Sequence, residues 1–160
     1  MLLRRLSTSL GLLVLIGAAG AGCASAPLAR TAAPSQSRGV AVALSGQRCD
    51  RENDPGWSVA DMLDLTLQVS VANDGDTAVF FDPWALQLIA AGMARAVHRA
   101  DSAGMVLPGT SRVFAVRFLE RDDRLACNVP MTLALARTAR VSGTPIALAP
   151  IPFLASNDDI

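Results

Sequence analysis

From Leu63 to Val71 the chain alternates without a break: Leu63, Leu65, Leu67, Val69 and Val71 are apolar, and Asp64, Thr66, Gln68 and Ser70 between them are polar. A sustained period of two predicts a strand with one face in a core and the other in water. Asn73-Asp74-Gly75-Asp76 then predicts a tight turn, from which Ala78 to Phe81 returns as a short strand. Pro83 interrupts, and Trp84, Leu86 and Leu88 resume the alternation, a parity that puts all three side chains in the core. A strand is expected over Met93 to Arg99, a turn at Leu107-Pro108-Gly109-Thr110, and another strand in which Phe114, Val116 and Phe118 alternate with Val113, Ala115 and Arg117. The charged run Glu120 to Arg124 reads as a solvated loop. Met131, Leu133 and Leu135 face inward on the next strand. Ile146 to Leu154, carrying Pro150 and Pro152, fits an edge or extended segment. With Val40, Val42 and Leu44 ahead of these, the chain predicts about seven to nine short strands and no helix, hence an all-β, antiparallel β-sandwich.

The N-terminus follows a different pattern. Arg4 and Arg5 precede an uncharged apolar run, Leu10 to Ala21, which ends in Gly20-Ala21-Gly22-Cys23. The run falls short of the about 20 apolar residues that cross a bilayer, and its charged start and small-residue end are those of a cleaved export signal over residues 1–22. Ala21-Gly22-Cys23 resembles the lipobox of bacterial lipoproteins, which implies a lipid on Cys23 and a membrane anchor. Gly20 stands where that family usually carries an aliphatic residue, so ordinary cleavage after Ala21 or Ala26 stays open, the latter disfavoured by Pro27. Ala24 rather than Asp after the cysteine resembles the sorting of lipoproteins to the cell outer membrane, with the domain in the periplasm or at the cell surface. Residues 23–38 lack apolar periodicity and contain Pro27 and Pro34, the composition of a flexible tether. The β domain is expected over 39–155, and the polar residues 156–160 are expected to fray.

Cysteine arithmetic adds an independent argument. The chain has three cysteines, Cys23, Cys49 and Cys127. Lipidation of Cys23 leaves an even pair, and export to an oxidising compartment makes Cys49 and Cys127 candidates for one disulfide. The alternative is two buried, unpaired thiols.

Within the domain, Val69-x-Val71-x-Asn73-x-Gly75, then Phe81-Asp82-Pro83 with Leu86 and Leu88, then Leu107-Pro108-Gly109-Thr110-Ser111 leading to Val116-x-Phe118 resemble the telokin-like, immunoglobulin-fold domains of bacterial lipoproteins. The resemblance covers roughly Leu63 to Phe118. It implies an extracytoplasmic interaction module and brings no catalytic residues with it.

Charge and chemistry narrow the function classes. Without Arg4 and Arg5, 12 of the 14 basic residues remain against 14 acidic ones, a balance of about −2 with no basic patch for nucleic acid. His98 is the only histidine, so a multi-histidine metal site is excluded and any nucleophilic triad must run through it. Flanked by Arg99 and close to Arg95, it reads as part of a polar strand face. A reduced Cys127 beside His98 is the one nucleophilic alternative, and it conflicts with an oxidising compartment. No Gly-x-Ser-x-Gly elbow or phosphate-cradling loop occurs. Asp50, Glu52 and Asp54, with Asn53, are the weak candidates for a hard cation, although Arg48 and Arg51 offset their charge. Trp57 and Trp84 follow prolines near loops, where binding modules place aromatic anchors. The expectation is a non-enzymatic envelope lipoprotein without cofactor, whose partner beyond the membrane is a protein or a cell-wall component. The alternative is a small-ligand or cation-binding module using loop 50–54.

Overall fold

A computed structural model describes residues 33–52, 62–121 and 126–155. The export signal, Cys23, Asn53, Asp54, Trp57 and residues 156–160 lie outside the described residues, as does the side chain of Glu52. The described chain is all β, with one 3₁₀ turn at Pro83–Ala85. Its strands are β1 Ser35–Ser37, β2 Val40–Glu52, β3 Met62–Asn73, β4 Val79–Phe81, β5 Gln87–Ala90, β6 Met93–Ala96 and β7 Arg99–Ala100. Then come β8 Gly104–Val106, β9 Thr110–Glu120, β10 Pro130–Ala134, β11 Ala139–Val141, β12 Thr144–Pro145 and β13 Ile151–Leu154. Thirteen segments exceed the expected seven to nine, because several are only two or three residues long and leave no periodicity to read. Pairing begins at Ser35, ahead of the domain start expected at Gly39, because β1 lies antiparallel on β2.

All pairings are antiparallel, in three sheets: β1-β2-β3-β9-β7, β13-β10-β5-β6 and β12-β11-β4-β8. The five-stranded sheet forms one layer of an all-β sandwich and the two smaller sheets together form the other. Leu63, Leu65, Leu67, Val69 and Val71 of β3 and Phe114, Val116 and Phe118 of β9 are buried, as the alternation predicts. They share a single core with Phe81, Leu88, Leu133 and Phe153 from the opposite layer. Phe81 and Phe114 meet across it with centroids 4.9 Å apart. Each such fully buried side chain contributes about 1.5–3 kcal/mol. The seam between the small sheets is closed where the chain crosses it, by the Asp82 N–H donating to Thr138 O at 2.8 Å. β13 is an edge strand, as its prolines require.

The Asn73–Asp76 turn does not make a hairpin. β4 pairs with β8 and β11, not with β3, so this turn carries the chain from one layer to the other. The two-residue hairpins fall at Arg38-Gly39, Ala91-Gly92 and Ser142-Gly143, and every one of these six residues has positive φ. That backbone matches the twist of the flanking strands. The strand expected over Met93–Arg99 is also divided. The chain leaves one sheet after β6, bends at Val97–His98 and joins the five-stranded sheet as β7.

Candidate functional site

Ser45 is an extra residue in β2: Leu44 pairs with Val69 and Gly46 with Gln68. This bulge reverses the parity of the strand. Val40 and Val42 face the core before it, and Gln47 and Cys49 face the core after it. Cys49 thereby reaches Cys127, and the two form a disulfide with a Cα–Cα distance of 5.8 Å. Beside it, Gln47 Nε2 donates to Leu154 O at 2.8 Å, a second link between the layers. Since the Cys127 sulfur is taken by the bridge, the thiol that a Cys127–His98 arrangement requires is not present.

Trp84 is a correction: it is 51% exposed, whereas its neighbours by parity, Leu86 and Leu88, are buried. Asp82 caps the 3₁₀ turn through its carboxylate, which accepts the Trp84 N–H at 3.1 Å. In a 3₁₀ turn successive side chains diverge by a third of a turn rather than half, so strand parity does not carry through it. The turn packs against β7 and places Trp84 at that edge of the large sheet. Asp50, the described member of the acidic group, pairs with Arg48 at 2.6 Å on the exposed face. Among the described residues no three His, Cys, Asp or Glu side chains converge to hold a metal.

A polar concavity lies on the outer face of the five-stranded sheet, where β3, β9 and β7 run side by side. It is an open groove of about 320 Å³ lined by Thr66, Arg99, Asp101, Ser102, Ala115 and Arg117. The strand period turns Ala115 and Arg117 outward while Phe114, Val116 and Phe118 enter the core. Ala115 is small and exposed, so the sheet surface dips there. Arg117 donates to Asp64 through Nε at 2.8 Å and through Nη2, a two-pronged ion pair that fixes its guanidinium. Arg99 lies directly across from Arg117 in the β7–β9 register. His98 is exposed at the bend and is held by its backbone, whose N–H donates to Arg117 O at 2.9 Å. Asp101 extends the pairing past β7: its N–H donates to Ala115 O at 3.0 Å, and its Oδ2 accepts the Ala115 N–H at 2.8 Å.

This groove was not legible in the sequence, which runs Met93–Arg99 as one strand and so assigns Arg99 no neighbour on β9. The available signal was His98-Arg99, two consecutive polar residues that break a period of two. Of the residues singled out from the sequence, the structure joins Cys49 to Cys127 and sets Trp84 at the β7 edge, and Asp50, next to Cys49 in β2, takes the opposite face of that strand.

No protein-family model and no curated protein matches the sequence. Among solved structures, the chain is similar to the crystal structure of "a putative lipoprotein (ycdA)" from Bacillus subtilis subsp. subtilis str. 168, with a TM-score of 0.57 and 12% identity. The match covers 76% of this chain and 38% of that one, so the chain spans well under half the length of this structural neighbour. At that identity the likeness is one of fold.

Proposed function

We propose that this chain is a bacterial envelope lipoprotein, in which a lipid on Cys23 and a tether hold an immunoglobulin-like β-sandwich that binds a protein or a cell-wall component without catalysing a reaction. The observation that carries the reading is the Cys49–Cys127 bridge. It belongs to an oxidising compartment, and it uses two of the three cysteines, leaving Cys23 unpaired at the end of Ala21-Gly22-Cys23. The fold shared with a chain described as a lipoprotein supports the same assignment. Ala24 after the cysteine favours the outer membrane. The outward groove along β3, β9 and β7 presents Arg99, Thr66, Ser102 and Asp101 to a ligand.

The test is Cys23→Ala. Attachment through two or more acyl chains is stable because each buried CH₂ adds about 0.8 kcal/mol, so the variant should move from the membrane pellet to the soluble fraction. A variant that still sediments with membranes after a salt wash refutes the anchor.

A further inference from the structure

We infer that the β3–β9–β7 groove is a binding site for a singly charged carboxylate, gripped by the Arg99 guanidinium. This deepens the reading of the domain as a binding module and rests on it. Arg99 and Arg117 are directly opposed on neighbouring strands, an arrangement in which like charges repel. Asp64 neutralises Arg117, and Glu120 lies 3.4 Å from Arg95. Among the described residues no carboxylate pairs with Arg99. A sheet that neutralises one of two directly opposed arginines and leaves the other facing a groove has a local mismatch of the kind that functional sites carry.

The ligand class follows from the groove's chemistry. A planar guanidinium presents two parallel N–H donors that match a carboxylate. The hydroxyls of Thr66 and Ser102 line the same space and can donate to its oxygens. Asp101 lines it, so a dianionic phosphate meets more repulsion than a monoanion does. Asp101 cannot swing over to cancel Arg99 without giving up the Ala115 N–H it accepts at 2.8 Å. Ala115 supplies the room: any larger outward side chain there fills the groove.

The experiment uses the full chain in detergent micelles, with N-acetyl-L-alanine as the monocarboxylate probe and its neutral amide and inorganic phosphate for comparison. Amide resonances of Thr66, Arg99 and Ala115 should shift saturably with N-acetyl-L-alanine and not with the amide, and phosphate should bind more weakly. Arg99→Gln and the groove-filling Ala115→Phe should each weaken binding at least about tenfold, and Arg99→Lys should weaken it by less. Arg140→Gln, on the opposite layer, should leave it unchanged. Absence of a saturable shift, an unchanged affinity in Arg99→Gln, or tighter binding of phosphate overturns the proposal. Membrane attachment is read separately: Arg99→Gln stays in the pellet and Cys23→Ala keeps its response to the probe. Loss of the groove result with attachment intact therefore counts against the site alone.

Discussion

Asn73 shows how much one side chain decides here. It is 1% exposed, at the end of β3, where the chain leaves one layer for the other. Its Nδ2 donates to Thr77 O at 2.9 Å and to Val106 O at 3.0 Å, and its Oδ1 accepts the Gly75 N–H at 3.1 Å. Its own carbonyl accepts the Gly109 N–H at 2.7 Å. The side-chain amide thus ties the crossover to β8, and the backbone carbonyl ties it to the turn before β9. Asn73→Ala strands two carbonyls, at least one of them buried, and should cost about 2–4 kcal/mol, since an unpaired buried group costs about 1–3 kcal/mol. Asn73→Asp keeps the shape but turns an oxygen toward both carbonyls, and should cost at least as much at neutral pH. Urea unfolding midpoints check both, and an aspartate variant as stable as the parent would contradict this account. In the sequence Asn73 reads only as the first residue of a turn, because burial and two of its three partners depend on what lies beyond that turn.

At the scale of elements, the bulge in β2 governs the disulfide. If Ser45 paired with Gln68 as a regular strand residue and did not bulge, the parity of Val40 and Val42 would carry Cys49 to the solvent face. Deleting Ser45 joins Leu44 to Gly46 and leaves every later pairing with β3 as it is. That variant should still bridge Cys49 to Cys127. Deleting Ser45 and Gly46 together shifts residues 47–52 by one and sends Cys49 outward, so both cysteines should become reactive thiols. Alkylation of denatured, unreduced protein, read by mass spectrometry, distinguishes the two outcomes. A bridge surviving the double deletion would show that the register is not what aims Cys49.

For the whole molecule, the bridge joins the five-stranded sheet to the segment that enters β10 in the other layer, across 78 residues of chain. In the chain-entropy model a closed loop of that size stabilises by about 4 to 4.7 kcal/mol, an upper figure because native strain subtracts from it. Domains of this size are stable by about 5–15 kcal/mol in all. Reduction with dithiothreitol should therefore lower the urea midpoint by about 1 M or more, given slopes of about 1–3 kcal/mol per M. A change below about 0.5 kcal/mol would mean that the packed core holds the layers together unaided.

The alternation in β3 and β9, the edge position of β13 and the all-β class were determined by the sequence, because which face a strand residue takes is a local property with a period of two. The pairing of strands was not. Asn73-Asp74-Gly75-Asp76 has hairpin composition, yet only the positions of β8 and β11 decide that β4 turns away from β3. Arg38-Gly39, Ala91-Gly92 and Ser142-Gly143 close the tight hairpins with a first residue that is not Asn or Asp, so their turn chemistry is faint. Trp84 shares parity with buried neighbours and still faces solvent, because a 3₁₀ turn intervenes. The carboxylate groove depends on Arg99, Arg117 and Thr66 arriving side by side from three strands. Such encounters between residues distant in sequence are fixed by the closing of the sheets, and only the tertiary structure decides them.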